Sequence, residues 1–524
     1  MRRRSLLLLV AMLATACGGS TAASSAPSPG ASSGTARILV GEPKTIDPAA
    51  AGDAGSAAVI AQLFETLTTF DSVRELRPAL ADSWRTEDGG RRVIFHLRPG
   101  LRFSDGTPLG PGDVVRSWLR LIDPGQPSPL ASLMLDVRGA AERLAGGPGT
   151  SGVGLRADDA AGEVVVDLVR PATDFVNVVA STAFAVVPPG ASDPNSLRAG
   201  AAFVASGGYR LTGGDASTLT LTANPQYWAG PPAIGEIRLV TDLGGRSPVE
   251  AFEAGELDYA PIDEGDATWI TYDATLGSQL REVPSLSTDY YGFDTSRPPF
   301  DDVRVRQAIA AAVDWRRIAR LALSDERGVA TSMVPPGIPG RSERDVVPGH
   351  DPAAARAKLA EAGYPGGAGF PVVTLLDGGS PYDQAVIDEL HRELGITVRS
   401  ETMDFNDYFD RLDTDPPRIW FLSWVADYPG RNDFLGVLLG TGSTNDYGRW
   451  SSAEFDAAIA DALGAADEAS AGAAFDRAES IVQRDAPVIP VTYGTGWALA
   501  RNGLLGAGQN GLGAVRLAGL AWAP

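Results

Sequence analysis

Cys17 is the only cysteine among the 524 residues, and its surroundings give it a definite chemistry. Arg2, Arg3 and Arg4 precede the apolar stretch Ser5 to Leu13 and the small residues Ala14-Thr15-Ala16, which together have the charge, hydrophobic run and cleavage region of an export signal. A cysteine directly after such a signal is where a thioether-linked diacylglycerol is attached. Two acyl chains are roughly what stable anchoring takes, at ~0.8 kcal/mol per buried methylene. The apolar stretch is too short to cross a bilayer, and the Gly/Ser/Ala/Pro tract from Gly18 to Thr35 has the composition of a flexible tether. The expectation is a signal peptide over residues 1–16 and a lipidated cysteine with its tether over 17–36. Ala14 stands where a lipobox usually carries Leu or Val, with Leu13 one place earlier.

Other chemistry finds little to build on. His96, His350 and His391 lack the His-Glu-x-x-His spacing of a metalloprotease. No Gly-x-Ser-x-Gly elbow is set between a strand and a helix, and there is no Walker-type phosphate loop. No carboxylate pair is singled out by its spacing, so the reading is a protein that is not an enzyme. With Cys17 carrying lipid, no thiol is left for a disulfide or for catalysis, and scarce histidine argues against a metal site. No cofactor is expected. There are 44 Lys and Arg against 65 Asp and Glu, a net charge of −21; loss of the three signal arginines takes it to −24. Such a field, with no basic stripe, excludes nucleic-acid binding.

These residues must be positioned by elements that alternate along the chain. Strands are predicted at Arg37 to Val40, Arg92 to Arg98, Glu163 to Val169, Leu219 to Ala223, Ile237 to Thr241, Val372 to Leu376 and Thr397 to Arg399. Helical spacing runs from Val59 to Leu67, from a cap at Asp113 through Trp118 to Ile122, and over Val303 to Leu323, Pro352 to Ala362 and Gln384 to Leu394. Interleaved strands and helices define an α/β class. The roughly 490 residues after the tether exceed what one core serves, so two or three domains are expected.

Several runs carry a resemblance from end to end: Glu42-Pro-Lys-Thr-Ile-Asp-Pro48, Gln62-Leu-Phe-Glu-Thr-Leu67, Leu76-Arg-Pro-Ala-Leu-Ala-Asp-Ser-Trp84, and Phe95 to Pro108 followed by Asp113-Val-Val-Arg-Ser-Trp118. Asn224-Pro-Gln-Tyr-Trp228, Gly255-Glu-Leu-Asp258, Pro298 to Ala308, Lys358 to Tyr364 and Trp424-Val-Ala-Asp-Tyr-Pro429 continue it in order. The chain resembles the extracytoplasmic solute-binding proteins of ABC importers, in the peptide and nickel binding family (family 5), and oligopeptide-binding lipoproteins in particular.

The resemblance implies a periplasmic-binding-protein-like two-lobe fold (class II, large variant with an extra domain), with the ligand enclosed between lobes. On that template residues 37–59, 180–284 and 488–524 form a discontinuous domain I, 60–179 an extra domain II and 285–487 domain III. Closure around ligand would be a hinge motion. It also implies a peptide ligand, permease and ATPase partners, attachment through Cys17 to the outer face of the cell membrane, and a monomer. Asp427 would pair with the ligand's free α-ammonium, a charge-assisted bond that offsets carboxylate burial; a turn cap before Pro429 is the structural alternative. Trp424, Phe405, Tyr290, Tyr291 and Tyr493 would line the cleft, Asn445 would bond the peptide backbone, and Arg411 or Arg418 would meet a ligand carboxylate. Strand-like backbone pairing predicts broad specificity. Asp301, Asp302, Arg304 and Arg306 read as helix-capping structure. A nickel chelate, haem or modified sugar remains an alternative ligand, and peptide sensing without transport an alternative output.

Overall fold

A computed structural model describes residues 34–524 except 73, 148, 173, 191–202, 323–327, 378–379, 381, 404, 466, 508–510 and 513–515. Cys17 and most of the tether lie outside the described residues. The strand Thr35–Leu39 turns Ala36 and Ile38 inward by simple alternation. It pairs in parallel with Glu236–Val240, from Thr35 opposite Glu236 to Leu39 opposite Val240. Both belong to a ten-stranded sheet whose order is Val398–Thr402, Val373–Asp377, Ile419–Val425, Leu280–Phe293, Val488–Ala500, Tyr259–Ile262, Thr35–Leu39, Glu236–Val240, Thr218–Ala223 and Tyr209–Gly214.

The two central strands, of 14 and 13 residues, divide this sheet. They pair antiparallel from Leu280 opposite Leu499 to Pro284 opposite Thr495, then lose register and resume from Thr288 opposite Tyr493 to Gly292 opposite Val488. On one side of the break Trp497 to Ala500 pair with Tyr259–Ile262; on the other, Ser287 to Phe293 pair with Ile419–Val425. Gly494 sits at the break because a Cβ there would lie 2.1 Å from Ser287 Oγ and 3.1 Å from Ser285 Oγ. An irregularity shared by two long strands is where a two-lobed molecule can bend with least disruption of its ladders.

Each half-sheet has its own core. Ile38, Val59, Phe64, Tyr209, Leu221 and Leu239 are buried together on one side, and Tyr291, Phe293, Ile309, Trp315, Leu375 and Leu390 on the other. A third core belongs to the segment between Glu65 and Val186, which close on each other in an antiparallel bridge. Here the sheet Ala81–Glu87, Arg92–Leu97, Glu163–Asp167 and Leu155–Asp158 packs against the helix Pro111–Leu119. Trp118 stands edge-on to Phe95, Phe175 and Phe184 at 6.2, 6.3 and 5.2 Å between ring centroids, and its indole N–H donates to Phe184 O at 2.9 Å.

Three predicted elements differ from those observed. The helix expected over Val303 to Leu323 is two, Val303–Ala312 and Trp315–Ala322. Val313 is extended between them, and Asp314 begins the second by accepting the Arg317 N–H at 3.0 Å while its own N–H goes to Glu389 Oε2 at 2.8 Å. Asp113 is not the cap of its helix: Gly110 is, with Pro111 at the first position and Asp113 three residues on, accepting the Gly110 N–H at 3.0 Å. The helix placed at Val59 to Leu67 begins at Ala54, capped by Asp53 through the Ser56 N–H at 2.8 Å, and ends at Leu63. Asp302 caps Val303–Ala312, and Arg306 is buried against the carbonyls of Phe300 and Asp485 at 2.7 and 2.9 Å.

Candidate site: buried carboxylates between the lobes

The strand Ile419–Val425 ends by pairing Val425 with Ser287, and Ala426 N–H donates to Leu286 O at 2.8 Å. The chain then turns through Asp427-Tyr428-Pro429-Gly430 into a π-helical turn, Asp433–Val437. The turn is closed by backbone bonds, Gly430 N–H to Tyr428 O at 2.8 Å and Asp433 N–H to Gly430 O at 3.2 Å. Asp433 points back into it, fully buried, its Oδ2 accepting the Trp424 indole N–H at 3.0 Å and the Asp427 N–H at 3.2 Å. Asp433 Oδ1 and Asp427 Oδ2 are enclosed and have no hydrogen-bond partner.

A third carboxylate arrives from the Glu65 to Val186 segment. The Tyr428 hydroxyl donates to Asp174 Oδ2 at 3.0 Å and accepts the Asn432 side-chain N–H at 3.0 Å. Tyr428 is completely buried in the core that holds Trp118. Among the described residues no Lys, Arg or His forms an ion pair with Asp174, Asp427 or Asp433. Arg431, the basic residue nearest in sequence, is turned away to Asp476 and Glu479, both at 2.7 Å. Burial pushes the Asp427 carboxyl up to about 7. Burial, then the neighbouring Asp427 charge, drives Asp433 well above the ordinary carboxylate range. Asp174 is pushed up to about 6 by burial, reinforced by Asp136 and opposed by its Tyr428 bond and by Arg170. Enclosed carboxylates of this kind are costly unless a cation or a proton compensates them.

The structure brings Trp424 and Asp427 together through Asp433. Tyr290 shares with Ala426 a core against which Trp424 packs, and the other anticipated residues are placed elsewhere. Tyr290 is buried among Leu286, Met333 and Phe434. Tyr291 packs on Trp315 and Phe421 at 5.5 and 5.2 Å, with its hydroxyl bonded to Asp383. The Tyr493 hydroxyl accepts the Thr331 and Ser332 N–H groups at 3.0 and 2.9 Å and gives its own proton to Ser332 O at 3.1 Å. Asn445 donates to Ser132 Oγ at 3.2 Å, beside Thr444 Oγ1 to Pro129 O at 3.2 Å. Phe405 opens the helix Phe405–Thr414, and its side chain lies outside what is described. Arg411 pairs with Asp415, and Arg418 with the buried Asp294 at 2.9 Å.

Asp433 and Asp174 were not anticipated. Asp433 lies six residues beyond Asp427 and could have been suspected as a second carboxylate in the same turn. Asp174 has no local signal, because only the tertiary fold brings it to Tyr428. The three histidines are dispersed: His96 Nδ1 is 2.9 Å from Asp82, His350 Nδ1 4.0 Å from Asp314 and His391 Nδ1 3.3 Å from Ile396 O. Among the described residues no group of three or more His, Cys, Asp or Glu is placed to hold a metal ion.

The profile of the bacterial extracellular solute-binding proteins, family 5 (middle region), matches residues 75–446. In Escherichia coli K12 the protein described as "Probable deoxycholate-binding periplasmic protein YgiS" is 30% identical over 467 residues, 86% of each chain. The oligopeptide-binding protein OppA of Bacillus subtilis is 25% identical over 531 residues, 98% of this chain and 97% of that one. The structure of the Escherichia coli murein tripeptide binding protein MppA superposes with a TM-score of 0.83 at 25% identity, covering 94% of this chain and 98% of that one. This chain belongs to family 5 of the bacterial extracellular solute-binding proteins, and its two α/β lobes with an inserted segment are that family's fold. The unliganded open form of MppA, at 26% identity over 93% of this chain and 97% of that one, superposes less well, with a TM-score of 0.69. In this chain Tyr428, Thr444 and Asn445 bond Asp174, Pro129 and Ser132 of the inserted segment.

Proposed function

We propose that the protein captures peptides outside the cell, anchored through a lipid on Cys17, and delivers them to the permease and ATPase of an ABC importer. The observation that carries the peptide reading is the buried Asp433 beside the half-buried Asp427 and Asp174, three carboxylates with no ion-pair partner among the described residues. A free α-ammonium at Asp427 supplies the missing charge through charge-assisted bonds, and closure of the lobes shields the pair from water. The extra domain contributes Asp174, so a domain II near residues 60–179, set against a domain III near 285–487, would complete the enclosure. Relatives whose names specify peptides support this choice. Deoxycholate, named for the YgiS relative, is an anion with an apolar body, and uncompensated carboxylates repel it.

Native mass spectrometry of the purified mature protein, followed by denaturing release and sequencing of what is bound, tests the proposal. Peptides of mixed sequence and narrow length are expected; a sterol, haem or sugar would reject the peptide reading. The anchor is tested separately. Cys17→Ala should move the protein from the membrane fraction to the soluble extracytoplasmic fraction, since without its acyl chains no helix among the described residues is long and apolar enough to hold it in a bilayer. Undiminished membrane attachment would reject lipidation at Cys17.

A further inference from the structure

Asp427 alone is enough to meet one ammonium, so the second carboxylate in the same turn calls for an explanation of its own. Asp433 is fully buried, and its Oδ2 is committed to the Trp424 and Asp427 N–H groups. Its Oδ1 is enclosed without a donor, as is Asp427 Oδ2. If both groups were ionised around one ammonium, the closed site would hold a net negative charge with no counter-ion. A proton on Asp433 Oδ1 removes that charge.

We infer that Asp433 is a positioning residue that keeps a proton when the lobes close, so that Asp427 and Asp433 together carry one negative charge against the one ammonium of the ligand. The inference rests on the peptide-binding reading and assigns to it the ligand charge that the site accepts. Asp433 holds Asp427 by the bond to its N–H and fixes Trp424 by the bond to its indole, while its own charge is suppressed.

The surroundings of Asp433 offer no other compensation. From its own segment it meets Asp427, Trp424, Tyr428 and Asn432, of which only Asp427 carries a charge. The inserted segment presents Asp174, a further acid, with Arg170 acting on Asp174 at longer range. Helix Ala453–Leu463 packs on the Asp433–Val437 turn, but its acids are engaged elsewhere, Glu454 with Arg484, Asp456 with the Thr441 N–H and Asp461 with Arg477. On helix Glu468–Asp485, Asp476 and Glu479 are held by Arg431. Burial and the adjacent Asp427 charge both raise the Asp433 carboxyl.

The sign of the pH dependence follows from linkage. A group whose affinity for a proton rises on closure makes the liganded state hold more protons than the open one, so binding is strongest at low pH and weakens as pH rises. Affinity of the wild-type protein for a neutral-side-chain peptide with a free N-terminus should fall as pH rises above the ordinary carboxylate range, by up to about tenfold per pH unit for one full proton. Asp433→Asn is a permanent mimic of the protonated acid. It keeps an acceptor for the Trp424 and Asp427 N–H groups. Titration calorimetry with one such peptide, in buffers of differing ionisation enthalpy, reads both quantities. The expected result is proton uptake on binding by the wild-type protein, and in Asp433→Asn less uptake and a shallower pH profile below about pH 7, where the peptide α-amine (pKa ~7.7–8.0) stays charged. Equal slopes in the two proteins, or no proton uptake by wild type, would overturn the role of Asp433 while leaving peptide binding in place. No peptide binding by either protein at any pH would overturn the peptide reading and this inference with it.

Discussion

Asp427→Ala should weaken binding of a peptide with a free N-terminus by about 2–5 kcal/mol, the cost of removing one partner from an enclosed charge pair. The magnitude comes from what remains: an ammonium brought out of water with its counter-charge gone, beside a backbone turn that cannot replace it. An N-acetylated version of the same peptide separates this from general damage to the site. It should bind the wild-type protein poorly and lose little more in the variant, because it brings no ammonium to be stranded. Calorimetry or intrinsic tryptophan fluorescence, with Trp424 beside the site, measures both. Unchanged affinity for the free-amine peptide would reject Asp427 as the anchor. Folding should be spared or slightly favoured, since Asp427 Oδ2 makes no hydrogen bond and its burial raises the carboxyl to about 7.

The second large effect is on stability. Trp118→Ala should cost ~3–5 kcal/mol, the range for truncating a large aromatic in a packed core. Three edge-on ring contacts are lost, and the Phe184 carbonyl loses the indole N–H that satisfied it. Trp118→Phe should recover a substantial part by refilling the cavity, but not the hydrogen bond. The molecule has several cores, so its unfolding need not be two-state, and the early transition should be the one that moves. Denaturant unfolding followed by tryptophan fluorescence reports the shift; a loss below about 1 kcal/mol for the alanine variant would contradict the packing seen here. Phe175 adjoins both Trp118 and Asp174, so the same variant should loosen the contact between Asp174 and Tyr428.

How much of this was legible beforehand depends on the range of the forces involved. Alternation located strands such as Arg92–Leu97 and Glu236–Val240 to within a residue or two, because the pattern of a half-buried strand is written in its own sequence. The single helix over Val303 to Leu323 failed because its break depends on Glu389, 75 residues from Asp314 in the chain. At the site, Asp427 and Trp424 were reachable only through the resemblance of the Trp424 to Pro429 run. An aromatic residue in a strand has the same local signature whether it faces core or cleft, so Tyr290 and Tyr291 could not be sorted from their neighbours. Asp174 was invisible for a similar reason: its meeting with Tyr428 is made by the docking of one lobe on another.

The lost register between the two central strands has a bearing on time as well as shape. If a peptide is enclosed, it leaves only after the lobes swing apart, and that motion is governed by the pairing around Gly494 and Ser287, well removed in sequence from Asp427. Residence time is then set in large part by the rate of reopening, and differences among side chains act mostly on that rate. Substitutions around Gly494 and Ser287 would then change dwell time for every cargo alike, without touching a residue at the carboxylate site.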